Sequence, residues 1–299
     1  MQLCTFQAGD RPEVGLLDEE WVLPVQRLLP DLLRSHAPML DLISRWDSVQ
    51  PALQGLAGTP DSARLRREHV RLLAPVPRPG KVLGIGLNYL DHINEKIIGE
   101  VRTAPEHQVW FTKPATAVNG PFDPIVLPLQ AVSTMTDYEA ELVVIIGRRC
   151  KRVSAEKAHE VVFGYCVGND VSVRDWQKRT SQWTLGKGFD THAPFGPWIT
   201  TADELPDPHT LGLRSLVNGE LRQSSHTSLM IHKVWDQIAV ISQAMTLEPG
   251  DVIYTGTCSG VGAGMTPPSF LKAGDRVRIE IDQLGAIEAL CVDDTPPSA

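Results

Sequence analysis

MTDYEAELVVIIG, residues 135–147, runs two carboxylates straight into an unbroken aliphatic run, Leu142 to Ile146, that stops at Gly147. A β-branched run of this length bounded by a glycine reads as a buried strand. Successive strand side chains point to opposite faces, so Glu139 and Glu141 project together while Tyr138, Ala140 and Leu142 face away. Two like charges side by side at a sheet are costly unless a cation or hydrogen-bond donors compensate them. The competing reading is a strand end at which both carboxylates are simply solvated.

Working outward, the same strand grammar recurs: KVLGIGLNY, VFGYCVGNDVS, FGPWITT, LRSLVNGELRQ, GDVIYTGT and DRVRIEID are short Val/Ile-rich runs separated by Gly, Pro, Asp and Asn. Many short strands with few long amphipathic helices predict a β-rich α+β fold. Asn-Gly in VNGE marks a hairpin. Helices are expected at about 154–162 and 233–245. Upstream, residues 1–75 mix strand-like pieces such as EEWVLPV with a helical stretch between roughly Leu28 and Leu56. The segment LLAPVPRPGKV, with its prolines and glycine, suits a linker. The expected division is a small N-terminal domain, 1–75, and a catalytic domain, 76–299.

The chain has 299 residues, 42% hydrophobic and 21% charged, with a formal net charge of −8. Without a Lys/Arg block, that charge argues against nucleic acid or an anionic membrane as partner and favours a small molecule. The five cysteines are scattered, with no C-x-x-C pair, as expected of free thiols in a reducing compartment. Neither a signal-like N-terminus nor a membrane-length apolar run is present, so a cytoplasmic protein is expected.

Asp170, at the end of VVFGYCVGND, stands where a strand gives way to a loop; a turn or cap role is its alternative. With Glu139 and Glu141 it makes an all-oxygen set, which favours Mg2+, Mn2+ or Ca2+ over zinc. In GLNYLDHINEK, His92 and Glu95 are three apart, neighbours on a helix, so that the carboxylate can raise the basicity of the imidazole; a plain surface pair is the alternative. Lys187 lies between glycines in WTLGKGFDTHAPFGPW, either a solvated loop lysine or a cation beside an anionic ligand. YTGTCSGVGAG lacks the G-K-[ST] of a P-loop, and GTCSG is not a serine-hydrolase elbow.

Taken together, GLNYLDHINE, FTKPATAVNGP, DYEAELVVIIG, GYCVGNDVSVRDWQ, QWTLGKGFDTHAPFGPWI, VNGELRQ and GDVIYTGTCSGVG, collinear over about residues 80–290, resemble the fumarylacetoacetate hydrolase (FAH) family, in its bacterial and FAHD-type branch. The resemblance implies a mixed β-sheet roll, a homodimer, and a divalent metal, Mg2+ or Mn2+, held by Glu139, Glu141 and Asp170. It also implies a water-activating dyad of His92 and Glu95 on a lid-like segment, Lys187 near metal and substrate, and substrate contacts from Arg174, Gln177 and Thr257. Trp183 is either a pocket wall or a core residue.

The reactions the resemblance implies share one logic: a 2-oxo carboxylate chelates the metal, and an enolate is stabilised as the neighbouring bond breaks. The first expectation is a hydrolase cleaving a C–C bond of a β-diketo acid, such as an acylpyruvate, to pyruvate and a carboxylic acid. The alternatives are an oxaloacetate decarboxylase or a 2-oxo acid isomerase or hydratase using the same site, or a non-catalytic metabolite-binding protein. The variable stretch KIIGEVRTAPEHQV, residues 96–109, is expected to shape the pocket wall.

Overall fold

The strand Ala140–Ile146 is buried along its whole length in the computed structural model, which describes residues 1–18, 20–31, 36–56, 63–95, 97 and 103–295. Its alternate residues enter two separate cores. Ala140, Leu142, Val144 and Ile146 pack in one, while Val143 and Ile145 pack in the other with Leu3, Val49, Phe195 and Tyr254. At roughly 1.5–3 kcal/mol for each buried aliphatic side chain, this anchoring is strong enough to hold carboxylates at the strand's start. Glu139 and Glu141 continue the Val143/Ile145 face, so they emerge together at the rim of the second core.

Ala140–Ile146 pairs antiparallel with Val162–Asn169 on one side and Val252–Tyr254 on the other. Beyond Val252–Tyr254 lie Val82–Gly86, parallel, and then Val109–Lys113 at the edge. Beyond Val162–Asn169 the sheet continues through Ala193–Thr201 to Gln2–Gln7, Pro12–Asp18, Trp21–Pro24 and Leu65–Arg66. The N-terminal strands are thus hydrogen-bonded into the same sheet as the strand that carries Glu141.

A second sheet runs in the order Glu220–His226, Gly212–Val217, Arg276–Ile281, Gly285–Asp293, Ile125–Leu127. The hairpin joining Gly212–Val217 to Glu220–His226 turns at Asn218 and Gly219, both at positive φ (54° and 80°), the backbone a two-residue hairpin turn requires. Leu213, Val217, Ile279 and Ile281 of this sheet pack against Leu142, Val144 and Val167 of the first. The result is the expected β-rich mixed-sheet roll.

The helical stretch expected over 28–56 resolves, among the described residues, into Val25–Leu28, Pro38–Ser44 and Trp46–Gln54. Pro38 opens the second, where its fixed φ suits a first helical turn, and Arg45 (φ −115°, ψ 19°) breaks the second from the third. Ala155–Val161 is 3-10 helix rather than α, and Val234–Ala244 is the long α-helix expected there.

Candidate functional site

Local pairing delivers the three carboxylates to one point. The Asp170 amide donates to the Glu139 carbonyl at 3.0 Å, which carries the Ala140/Asn169 pairing one residue further and sets Asp170 beside Glu139. Glu141 lies opposite Gly168, whose missing side chain keeps that face open: a Cβ there would meet Val143 at 2.4 Å. Glu141 Oε2 accepts the Gly256 amide at 2.7 Å, and Gly256 sits at φ +96°, a backbone that favours glycine. Glu139, Glu141 and Asp170 are all buried, with ligand atoms within 4.8 Å of one another.

Three buried cations surround them. Lys187 Nζ bridges Glu139 Oε2 (2.7 Å) and Asp170 Oδ2 (2.6 Å). Lys113 Nζ donates to Asp170 Oδ1 (2.5 Å) and to the Val171 carbonyl (3.1 Å). Arg174 reaches Glu139 Oε1 through Nη1 (2.7 Å) and Asp137 Oδ2 through Nε (2.9 Å). Burial by itself would raise the Glu139 pKa, but Lys187 and Arg174 outweigh it and hold the carboxyl well below the usual range. Glu141 behaves oppositely: burial, then the neighbouring Asp170 and Glu139 charges, push it well above. Burial opposes the charge on Lys187 too, yet Asp170 and Glu139 raise its pKa, so the ammonium is retained.

The donor chemistry fits a hard divalent cation. Three carboxylates converge, and the one with the weakest compensation, Glu141, is pushed toward protonation by burial and then by its like-charged neighbours, a field that such an ion would relieve.

His92 and Glu95 also come together. His92 Nδ1 contacts Glu95 Oε2, and Glu95 Oε1 accepts the Gly260 amide at 2.6 Å. The helix that carries His92, Leu90–Ile93, is one turn long, so the pair depends on the Gly260 loop for its placement. His92, Glu139, Glu141, Arg174, Gln177, Lys187 and Thr257 all line one cavity of about 370 Å3. Thr257 Oγ1 donates to the Ala140 carbonyl and accepts from Gln223, which ties it to the start of the strand that carries Glu141. Trp183 takes the wall role: half-buried, it lines the same cavity over Gly86, where a Cβ would meet its ring at 2.1 Å. Much of the 96–109 stretch lies outside the described residues.

Two residues absent from the expected site belong to it. Lys113, in FTKP, is a lone lysine on an apolar strand, and that oddity was its only signal. Asp137 stands two residues before Glu139 and shares its face by alternation; only the partners that fold over it reveal its use.

The fumarylacetoacetate (FAA) hydrolase C-terminal family model matches residues 81–292. Roll and carboxylate cavity together therefore define the class: the chain belongs to the fumarylacetoacetate hydrolase family. Among its relatives are the mitochondrial oxaloacetate tautomerase fahd2 of Xenopus laevis, 42% identical over 96% of this chain and 89% of the relative, and oxaloacetate tautomerase YisK of Bacillus subtilis (strain 168), 39% identical over 96% and 98%. Among solved structures, maleylpyruvate hydrolase of Sphingobium sp. SYK-6 in complex with manganese (II) ion and pyruvate has a TM-score of 0.82 at 33% identity, covering 99% of this chain and all of that one. The family resemblance in the sequence and the mixed-sheet fold it implied both hold.

Proposed function

We propose that the protein interconverts the keto and enol forms of a 2-oxo dicarboxylic acid of the oxaloacetate type. The observation that carries this reading is the placement of a carboxylate-held imidazole, His92, in the same cavity as the acidic triad and a cluster of buried cations. The names of relatives at 39–42% identity over nearly the whole chain point the same way.

Glu139, Glu141 and Asp170 would hold Mg2+ or Mn2+. When bound, such an ion supplies Lewis-acid compensation for negative charge on the 2-oxo oxygen. Arg174 binds the substrate carboxylate: its Nη2 is buried with no hydrogen-bond partner among the described residues, and Gln177 Oε1 accepts from its Nη1 at 3.0 Å. His92, oriented through Nδ1 by Glu95, takes a proton at Nε2 from the carbon between the carbonyl and the distal carboxylate. The C–H electron pair becomes the C=C bond, the carbonyl π pair moves to oxygen, and that oxygen takes a proton, so nothing is gained or lost overall. Lys187, over the Phe111 ring at 4.8 Å, adds a positive charge close to where the oxyanion develops.

Hydrolysis of an acylpyruvate-type β-diketo acid is the second reading, favoured by the same dyad, which would deprotonate water, and by the likeness to a maleylpyruvate hydrolase. The two separate in one experiment. The Mn2+-loaded protein is given enol oxaloacetate, with ultraviolet loss of the enol and enzyme-coupled detection of pyruvate followed in parallel, and then a panel of acylpyruvates. Faster enol loss without pyruvate, abolished in His92→Asn, supports tautomerisation. Enol loss at the solution rate rules it out, and pyruvate from an acylpyruvate establishes hydrolysis instead.

A further inference from the structure

The loop Gly260–Gly264 lies between the two halves of the site and touches both with its backbone. On one side, the Gly260 amide donates to Glu95 Oε1, and Ile97 packs against Val261 and Ala263. On the other, the Gly262 amide donates to Asp137 Oδ1 at 2.7 Å and the Ala263 amide to Asp137 Oδ2 at 3.0 Å. Asp137 Oδ2 also accepts Arg174 Nε, and Oδ1 the Tyr138 amide at 3.0 Å. Tyr138 in turn donates its hydroxyl to the Gly260 carbonyl at 2.9 Å.

We infer that Asp137 is a positioning residue that couples the orientation of Arg174 to the placement of the His92–Glu95 dyad, through the Gly260–Gly264 loop. This rests on the reading of His92 as the proton-transfer group and of Arg174 as the carboxylate-binding group. Asp137 is fully buried and does not itself line the cavity; it meets the cavity wall through Arg174. It meets four donors, two on each oxygen, and it offers four acceptor positions, so its capacity is matched to its partners. Three of those donors are backbone amides, which do not move independently of the chain. Arg174 therefore meets an anion fixed to the loop that also fixes Glu95, and a shift of the loop reaches both groups at once.

The geometry supplies two distinct perturbations. Asp137→Asn keeps the size but turns one oxygen into an NH2, and in either amide orientation that NH2 faces two donors, so the loop loses one of its two amide anchors and the carboxylate charge that held both. Gly264→Ala acts at the other end: its Cβ would meet Glu95 Oε1 at 2.6 Å, the far end of a side chain that can swing away, so the fold is preserved and the dyad is displaced.

The test uses the Mn2+-loaded enzyme, with kcat and KM from the enol assay and the dissociation constant of oxalate, a planar dicarboxylate, by calorimetry. Asp137→Asn is expected to weaken oxalate binding and to lower kcat on the order of 100-fold, the scale at which a 1 Å misplacement acts. Gly264→Ala is expected to lower kcat with oxalate affinity unchanged. In the double variant Gly264→Ala adds little, because the loop is already loosened; a coupled pair departs from multiplicativity in this way. Multiplicative losses in the double variant overturn the coupling, as does an Asp137→Asn enzyme with lowered thermal stability but wild-type kcat and oxalate affinity. His92→Asn is measured alongside: if it is fully active, the functional reading itself falls. If it is inactive while the losses multiply, only the coupling falls. Should Asp137→Asn not fold, Tyr138→Phe, which removes only the hydroxyl on the Gly260 carbonyl, takes its place in the cycle with the same two outcomes.

Discussion

Replacing Lys187 by Met tests whether that ammonium occupies, in the metal-free protein, a position a divalent cation would share. Lys187 Nζ bridges Glu139 and Asp170 from a side chain only 2% exposed. Removing one partner of a buried ion pair costs about 3–5 kcal/mol. Both carboxylates keep a second cation, Arg174 on Glu139 and Lys113 on Asp170, which places the loss at the lower end, about 3 kcal/mol. For a chain of this size, at roughly 2–4 °C per kcal/mol, the metal-free variant should melt about 6–12 °C below wild type. Added Mn2+ stabilises either protein by mass action, about 2.7 kcal/mol at a hundredfold excess over Kd. In the variant the metal meets two oxygens that no longer share an ammonium, so it binds more tightly and the gap in melting temperature narrows. Differential scanning fluorimetry in EDTA and across a Mn2+ titration, with calorimetric Kd values, measures both quantities. An equal melting temperature without metal, or a gap unchanged at saturating Mn2+, refutes the argument. Activity should stay low at every metal concentration, because the charge near the reacting oxygen is gone.

Metal binding should release close to one proton, since burial and the Asp170 and Glu139 charges raise the Glu141 pKa in the metal-free site. Calorimetry in buffers of different ionisation enthalpy reads this, and apparent affinity should fall about tenfold per pH unit below that pKa; Glu141→Ala should lose Mn2+ binding with the fold intact. Burial, then the Lys113 charge, lowers the His192 pKa from 6.5 to about 3, so the unfolded chain binds this proton first and stability from this group is full above 6.5 and falls as pH drops toward 3. The slope is about 1.4 kcal/mol per pH unit in that window, and His192→Gln should flatten the acid limb of a denaturation series by one proton. Gly86→Ala should push the Trp183 ring into the cavity and raise KM more than it lowers kcat, read from the enol assay.

The alternation of EAE and the hairpin at Asn218-Gly219 were legible because strand geometry is local: period two and a left-handed turn need no knowledge of what packs above. The single helical stretch expected over 28–56 was not resolved correctly, because the break at Arg45 leaves no propensity mark. Nor does any local rule reveal that Gln2–Gln7 pairs with Ala193–Thr201, a register between segments nearly two hundred residues apart. Lys113 and Asp137 escaped for the same reason. Each is a single charged residue whose partners, Asp170, Arg174 and the Gly262 and Ala263 amides, come from other parts of the chain.

What the sequence by itself determined is the strand that opens on two carboxylates, the family's collinear motifs and the oxygen-only donor set, all carried by short-range pattern and residue chemistry. Tertiary structure alone decided how those charges are balanced. The same three carboxylates differ in proton affinity because Lys187 and Arg174 close on Glu139 while Glu141 receives one backbone amide, and electrostatic energy depends on distances that folding sets.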